Sequence, residues 1–517
     1  MNNGSRTKKA VVNASFGMGM QFVIVLCQFV LQTVFIKTLN AEYLGLNGVF
    51  SNVLQFLSLA ELGIGGAITF TLFKPLADKD EGLIRATMNL YKSIYAIIGL
   101  IVFVMGIMLS FSLNWFIKPD VPLGNVQLMF ILYLMNSVVS YFFAYCRTLL
   151  IADQKSYIDS INQAIFRVLQ VILQGVFLIV THEYILFLVV QIIVTIVSNY
   201  SIYAKTIKVY PFLKNKDKSR KISREVIDTL KKNAMGAFSA KIGSIVVFGT
   251  ANVLISKFVG LAAAGLFSNY MLLLNSVSGL MNKAINSVAA SIANFINSKD
   301  ESKIDDVFFE YMYVVSFCAL ISGLLLSIEI QPFIRFWVGS KYELPKMTVA
   351  LIIFNWILNL MRNTVLSFMA AYGAYWEVRW KSIIEAALNL SIGVLLITTT
   401  NLGINAVVIS GIAVGLAINA WVEPWILFRK SNSFDKGKYI TRYIVYLCAA
   451  VCVAFVPVYL PIRVPANMLA MLISSILVSI IFTLLFIALT SKFSESNRFK
   501  KMISSKISNR LGRLLGI

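Results

Sequence analysis

Residues 33–92 read TVFIKTLNAEYLGLNGVFSNVLQFLSLAELGIGGAITFTLFKPLADKDEGLIRATMNLYK. An apolar helix ends at Lys37, a short polar turn follows, and a long apolar run begins with GIGG (63–66) in its middle. The run stops at Lys74-Pro75 and a charged ADKDE turn (77–81). A second copy lies at an offset of 220 residues, from 37 to 257. Lys37 matches Lys257, Leu44-Gly45-Leu46 matches Ala264-Gly265-Leu266, Lys79-Asp80-Glu81 matches Lys299-Asp300-Glu301, and Tyr91 matches Tyr311, with no gap. Apolar segments resemble one another by chance, but chance rarely preserves register through turns and charges. The chain is read as a duplication.

Working outward, composition sets the class. The 517 residues are 58% hydrophobic and only 14% charged, with mean hydropathy +0.78, far from a soluble chain. Continuous apolar runs of roughly 18–25 residues recur, each able to cross ~30 Å of hydrocarbon as a helix. A membrane barrel needs short alternating segments instead. The expected fold is an all-α polytopic membrane protein of about fourteen transmembrane helices.

Charge orients it. The net charge of +22 collects in turns and tails on one side, the positive-inside pattern, and this placement excludes nucleic acid as the reason for it. The reading gives an N-lobe of six spans (1–204: 14–36, 44–75, 88–117, 127–152, 158–180, 184–204). A basic cytoplasmic linker follows (205–232), then a C-lobe of six spans (233–430: 233–258, 264–296, 308–337, 347–372, 382–400, 405–428). Two further spans (431–490: 440–460 and 467–490) and a basic tail (491–517) close the chain. Both termini are expected in the cytoplasm. The second span exceeds a bilayer's thickness, and Gly63, Gly65 and Gly66 offer a bend. Gln21, Gln28 and Gln32 share one side of the first span and avoid lipid there.

Enzyme chemistry finds no foothold. The single histidine, His182, sits in a turn, the five cysteines lie in apolar runs without metal-ligand spacing, and GxxxxGK[ST] is absent. The chain is read as a non-enzyme that needs no cofactor and no metal. The candidates for function are ionisable residues inside apolar spans, where they are costly and face a bundle interior or a wet cavity. At about 1.5 Å per residue, Glu61, Arg167, Lys241 and Arg362 fall nearest the midplane. Arg147, Lys283, Glu385 and Glu423 lie toward the cytoplasm and Glu329 toward the outside. For the cytoplasmic-side group, snorkelling or a helix-fixing ion pair is an equal alternative. Cations exceed anions at the midplane, which favours an anionic substrate. Arg167 and Glu385 fall within about a helical turn of each other at the repeat offset, while Lys241 corresponds to Gln21 and Glu61 to Met281. The duplicated frame therefore carries different side chains in its two halves, as a substrate pocket needs.

The duplicated halves, the two appended spans and the stretch LGLNGVFSNVLQFLSLAELGIGGAITFTLFKPLADKD (44–80) resemble the Wzx-type polysaccharide flippases of the MOP (multidrug/oligosaccharidyl-lipid/polysaccharide) exporter superfamily. The resemblance implies two six-helix lobes in a V, with a cationic cavity open to one side at a time. It implies export of undecaprenyl-pyrophosphate-linked oligosaccharide across the bacterial cytoplasmic membrane for capsule, exopolysaccharide or O-antigen assembly. Its partners would be membrane lipids and the polysaccharide polymerase and glycosyltransferases of the pathway. By character and depth, substrate binding falls to Arg167, Lys241 and Arg362, with Arg147 and Lys283 below them. Ion coupling falls to Glu61 and Glu385, with Glu61 either holding the coupling cation or pairing with Lys241 or Arg167. A lipid II flippase and a multidrug exporter of the same superfamily are the alternatives. Physically, a pyrophosphate sugar needs a polar cationic path, because its charge and hydroxyls lose their water in hydrocarbon.

Overall fold

A computed structural model describes residues 3–58, 71–72, 75–76, 78–117, 124–153, 155–214, 249–297, 303–372, 374, 377, 379–431, 434–460, 465 and 467–499, with side chains from 19 onward apart from 114, 116, 283–297, 378 and 379. Every regular element among them is helical. In chain order these are α1 (Asn3–Thr38), α2 (Ala41–Leu57), α3 (Glu81–Ser110), α4 (Val126–Tyr141), α5 (Ala144–Ala152), α6 (Ser156–Thr181), α7 (Tyr184–Val209) and α8 (Ala251–Phe258). There follow α9 (Leu261–Asn297), α10 (Ile304–Trp337), α11 (Lys346–Ala371), α12 (Arg379–Thr399), α13 (Ile404–Phe428), α14 (Lys436–Tyr459) and α15 (Met468–Leu489).

The polar turns stop and restart these helices through their own side chains. Asn40 accepts from the Tyr43 amide, Asp80 from Leu83, Asn125 from Leu128, Asp435 from Lys438 and Asn467 from Leu469. Each cap satisfies a first-turn N–H that has no partner within its helix.

Among the described residues eleven helices are long and apolar enough to cross a membrane, or twelve if α4 and α5 form one span. The expected fourteen agree with this count, since the spans 44–75 and 233–258 run into residues outside the described set, as does the GIGG bend. The span expected unbroken over 127–152 bends by 42° between α4 and α5. There the Ser140 hydroxyl takes the Ser137 carbonyl, a side-chain competitor for the backbone ladder. The outer faces are those of lipid-facing helices: α15 exposes Leu469, Leu472, Ile476, Ile480 and Leu484 in a continuous apolar row.

The chain divides into two compact units. Unit 1 comprises Met1–Met271 and Ser382–Val407, and unit 2 comprises Leu272–Lys381 and Val408–Ile517. In unit 1, α1 packs along α6, and α4 and α6 pack on α7. Rings of Phe35, Tyr184 and Phe187 meet there, as do Phe50 and Phe130. In unit 2, Phe308 is the centre of a ring cluster with Phe309, Phe368, Phe428, Phe434 and Tyr439. The two appended helices belong to this unit, with α14 on α10 and α11 and α15 on α10. An ionic network secures their end: Lys438 bridges Asp305 and Glu495, Arg442 reaches Glu495, and Arg498 holds Asp306 and Glu310.

Within unit 1 the duplicated stretches meet each other. A β-carbon at Gly45 would collide with the Leu261 carbonyl oxygen, and one at Gly265 with the Ala41 carbonyl oxygen. Leu261 stands to Ala41, and Gly265 to Gly45, at the same 220-residue offset. Gly48 faces Ser268, its own counterpart. Each position touches the partner of its partner, as across a two-fold axis, and small residues let the backbones approach closely.

Candidate functional site

Two sets of buried polar groups stand inside the spans, one in each unit. In unit 1, α6 carries Asp159, Asn162, Gln163, Arg167, Gln170 and Gln174, of which Asp159, Asn162 and Gln174 are buried and Gln163 is exposed. This polar series divides into two parts. At its start Arg147 of α5 pairs with Asp159 and donates to Asn162 Oδ1 (3.4 Å) and to Asn199 Oδ1 of α7 (3.2 Å). Gln163 gives the other Asp159 oxygen a hydrogen bond of 2.7 Å. This carboxylate and guanidinium are mutually satisfied, and the cluster ties α5, α6 and α7 together.

Two turns further, Arg167 is placed differently. It donates to Gln170 Oε1 at 3.3 Å, Gln170 donates to Gln174 Oε1 at 2.9 Å, and Gln174 donates to the Phe187 carbonyl at 2.9 Å. The chain of amides fixes the guanidinium without neutralising it. Among the described residues no carboxylate lies within ion-pair distance of Arg167, and its buried Nε has no acceptor. A cation inside a span without a counter-ion is expensive, whether it is half-buried or fully enclosed.

In unit 2, Arg362 of α11 donates to both oxygens of Glu423 on α13, at 2.8 and 2.5 Å. Lys381, at the start of α12, donates to the same carboxylate at 2.6 Å. The Glu423 and Lys381 side chains are almost fully enclosed, at 2% and 4% exposed, while Arg362 keeps 20%. Asn355, Asn359, Asn419, Tyr439 and Tyr443 line the small cavity of about 30 Å³ beside this triad. Two cations share one carboxylate, so the three groups together carry a positive charge.

Of the residues singled out from sequence, Arg147, Arg167 and Arg362 are therefore buried or half-buried polar centres, two of them engaged with carboxylates. Glu385 is buried one turn beyond Lys381 on α12, in the part of that helix belonging to unit 1. Glu61 and Lys241 lie outside the described residues, and so does the side chain of Lys283 on α9. Glu329 accepts from Ser474 on α15. Lys381, Gln170 and Gln174 are not among the residues singled out from sequence, and the structure adds them to these two clusters. Among the described residues no cluster of metal-ligating side chains occurs.

No protein-family model matches the chain, and no curated protein matches it in sequence. Solved structures do. An inward-facing multidrug resistance MATE family transporter of the MOP superfamily is similar at TM-score 0.63 and 12% identity, covering 81% of this chain and 98% of its own. The lipid II flippase MurJ in an inward closed conformation is similar at TM-score 0.59 and 15% identity, covering 92% and 98%. A MOP superfamily transporter from Pyrococcus furiosus, described as having a binding pocket of reverse polarity, is similar at TM-score 0.56 and 11% identity, covering 82% and 96%. The fold is that of MOP superfamily transporters, and these neighbours are transporters and a flippase rather than enzymes.

Proposed function

We infer that the protein is a flippase for an anionic lipid-linked oligosaccharide, of the undecaprenyl-pyrophosphate class. It works in the bacterial cytoplasmic membrane with both termini inside and moves the head group from the inner to the outer leaflet by alternating access. The observation that carries this reading is Arg167, a half-buried guanidinium inside a span, held by an amide and left without a carboxylate among the described residues. A carrier of organic cations needs the opposite sign at such a place.

The chemistry is one of solvent replacement. A pyrophosphate sheds its water on entering the span, and a fixed guanidinium returns part of that lost hydrogen bonding at no cost in reorganisation. The polyprenyl tail stays in lipid throughout. Glycan export in cells carrying Arg167→Ala and Arg167→Lys tests the reading, with membrane abundance of each variant measured alongside. Loss of a charge-assisted hydrogen bond worth about 1.5–3 kcal/mol predicts a roughly ten- to hundred-fold fall for alanine. Lysine falls less, because an ammonium keeps the charge and loses the bidentate fork. Normal export by Arg167→Ala at normal abundance overturns the reading.

A further inference from the structure

At one end of unit 1, the first turns of α6 and the last turns of α7 leave an open groove between them, of about 300 Å³. Tyr157, Ile158 and Ile161 of α6 line it on one side, and Lys205, Lys208 and Val209 of α7 on the other. That volume is at the lower end of what a small-molecule site encloses. The walls are apolar, and the two exposed lysines are the charged residues among them.

We propose that this groove binds one anionic phospholipid, with an acyl chain against Ile158, Ile161 and Val209 and the phosphate held by Lys205 and Lys208. The first observation behind it is charge. Among the described residues neither lysine has a carboxylate within ion-pair distance. The acidic residues of α6 and of the turn before it, Asp159 and Asp153, are taken by Arg147 and Lys155. Both positive charges are left to an external anion.

The second observation is depth. A membrane-spanning helix ends at the head-group level, and Lys205 and Lys208 stand in the last turns of α7. A lysine there covers apolar surface with its stem and keeps its ammonium in the polar layer. Basic pockets between membrane helices at this level recognise phospholipid head groups.

The third is direction. Ile165, Ile172 and Val176 continue the line of Ile158 and Ile161 along α6, and all three are exposed, so the groove opens onto the lipid-facing side of the helix. Ile158 and Arg167 are nine residues apart, about two and a half turns, which sets them on opposite sides of α6. A head group in the groove is turned away from Arg167, and this favours a resident bilayer lipid over the transported one. In the proposed orientation the site belongs to the cytoplasmic leaflet, but its occupancy does not depend on what the protein transports.

The probe is phosphatidylglycerol carrying a diazirine in one acyl chain, a trace component of phosphatidylcholine nanodiscs that hold the full-length protein. After irradiation the labelled peptides are mapped by mass spectrometry. Labelling is expected over residues 157–161 and 205–209, where a phosphatidylcholine probe with the same chain gives only background. Lys205→Gln and Lys208→Gln are each expected to lower the phosphatidylglycerol signal about five-fold, and the pair to bring it to that background. Lys436→Gln with Lys492→Gln, which removes two exposed lysines from unit 2, is expected to leave it unchanged. Val209→Trp keeps both lysines but fills the groove, and should also lower the signal, which a merely charged surface would not show. Equal labelling by the two probes overturns the proposal. So does a Lys205–Lys208 double variant that labels like the Lys436–Lys492 control, or a Val209→Trp that labels like the wild type. Displacement of the probe by farnesyl-pyrophosphoryl-N-acetylglucosamine at lower concentration than by unlabelled phosphatidylglycerol assigns the groove to a lipid-linked sugar and overturns it too; none of these outcomes touches the Arg167 export test.

Discussion

Replacing Gly45 by alanine puts a methyl group where two backbones already touch. The added carbon would lie well under 3.0 Å from the Leu261 carbonyl oxygen and 3.1 Å from the Gly265 amide nitrogen. Both obstacles are main chain, so no side chain can swing aside, and α2 and α9 must part by on the order of 1 Å. A gap of that size forfeits a quarter to a half of the dispersion energy across the crossing. Overpacking costs about 1–3 kcal/mol, and a backbone obstacle places Gly45→Ala near the upper end. Gly265→Ala meets the Ala41 carbonyl in the same way and should cost as much. The double variant should cost less than the sum, because helices parted for one methyl already accommodate the other. Gly19→Ala and Gly175→Ala are the controls: their new carbons meet nothing within 4 Å, and helix propensity alone gives a gain of roughly 0.5–1 kcal/mol. The assay is the thermal midpoint of detergent-solubilised protein followed by tryptophan fluorescence, with membrane abundance alongside. A Gly45→Ala midpoint equal to that of Gly19→Ala refutes the close crossing. Strict additivity of the Gly45 and Gly265 losses refutes the two-fold relation.

The remaining predictions concern charge. Arg147→Ala strands the buried Asp159 carboxylate and should cost about 3–5 kcal/mol, read as reduced abundance and thermal midpoint. Arg147→Met combined with Asp159→Leu should restore most of the loss; no recovery in the double variant refutes the pairing as its cause. A cysteine introduced at Asn2 or Gly516, in a background with the five native cysteines replaced, should be protected from an impermeant thiol reagent on intact cells. Labelling at both positions reverses the proposed orientation.

What the sequence made legible follows the range of the forces involved. Helix stops at Asn40 and Asp80 are local, set by a side chain two or three residues from the amide it caps, and both fall where the polar turns place them. The duplication is legible because register survives through turns, and the Gly45–Gly265 crossing is its physical counterpart. The bend after Tyr141 is not legible in the sequence, since no proline or glycine marks it. Ion pairs were harder still. Arg362 and Glu423 are 61 residues apart, and no spacing rule joins them. Lys381 stands just before the expected span 382–400, and its ion pair with Glu423 makes it an enclosed group.

Sign alone is thus a blunt guide to function in a membrane interior, because the cost of a buried charge falls equally on residues that hold the fold and on residues that hold a ligand. What separates them is whether the cost is met within the protein. Arg147 is met by Asp159 together with two asparagines, and its removal should be felt in stability. Among the described residues Arg167 is met by a neutral amide, Gln170, which orients a guanidinium and cannot discharge it; on the proposed function its removal should be felt in transport. Arg362 shares one carboxylate with Lys381, so removing Glu423 strands two cations at once and should cost more stability than removing Arg362 alone.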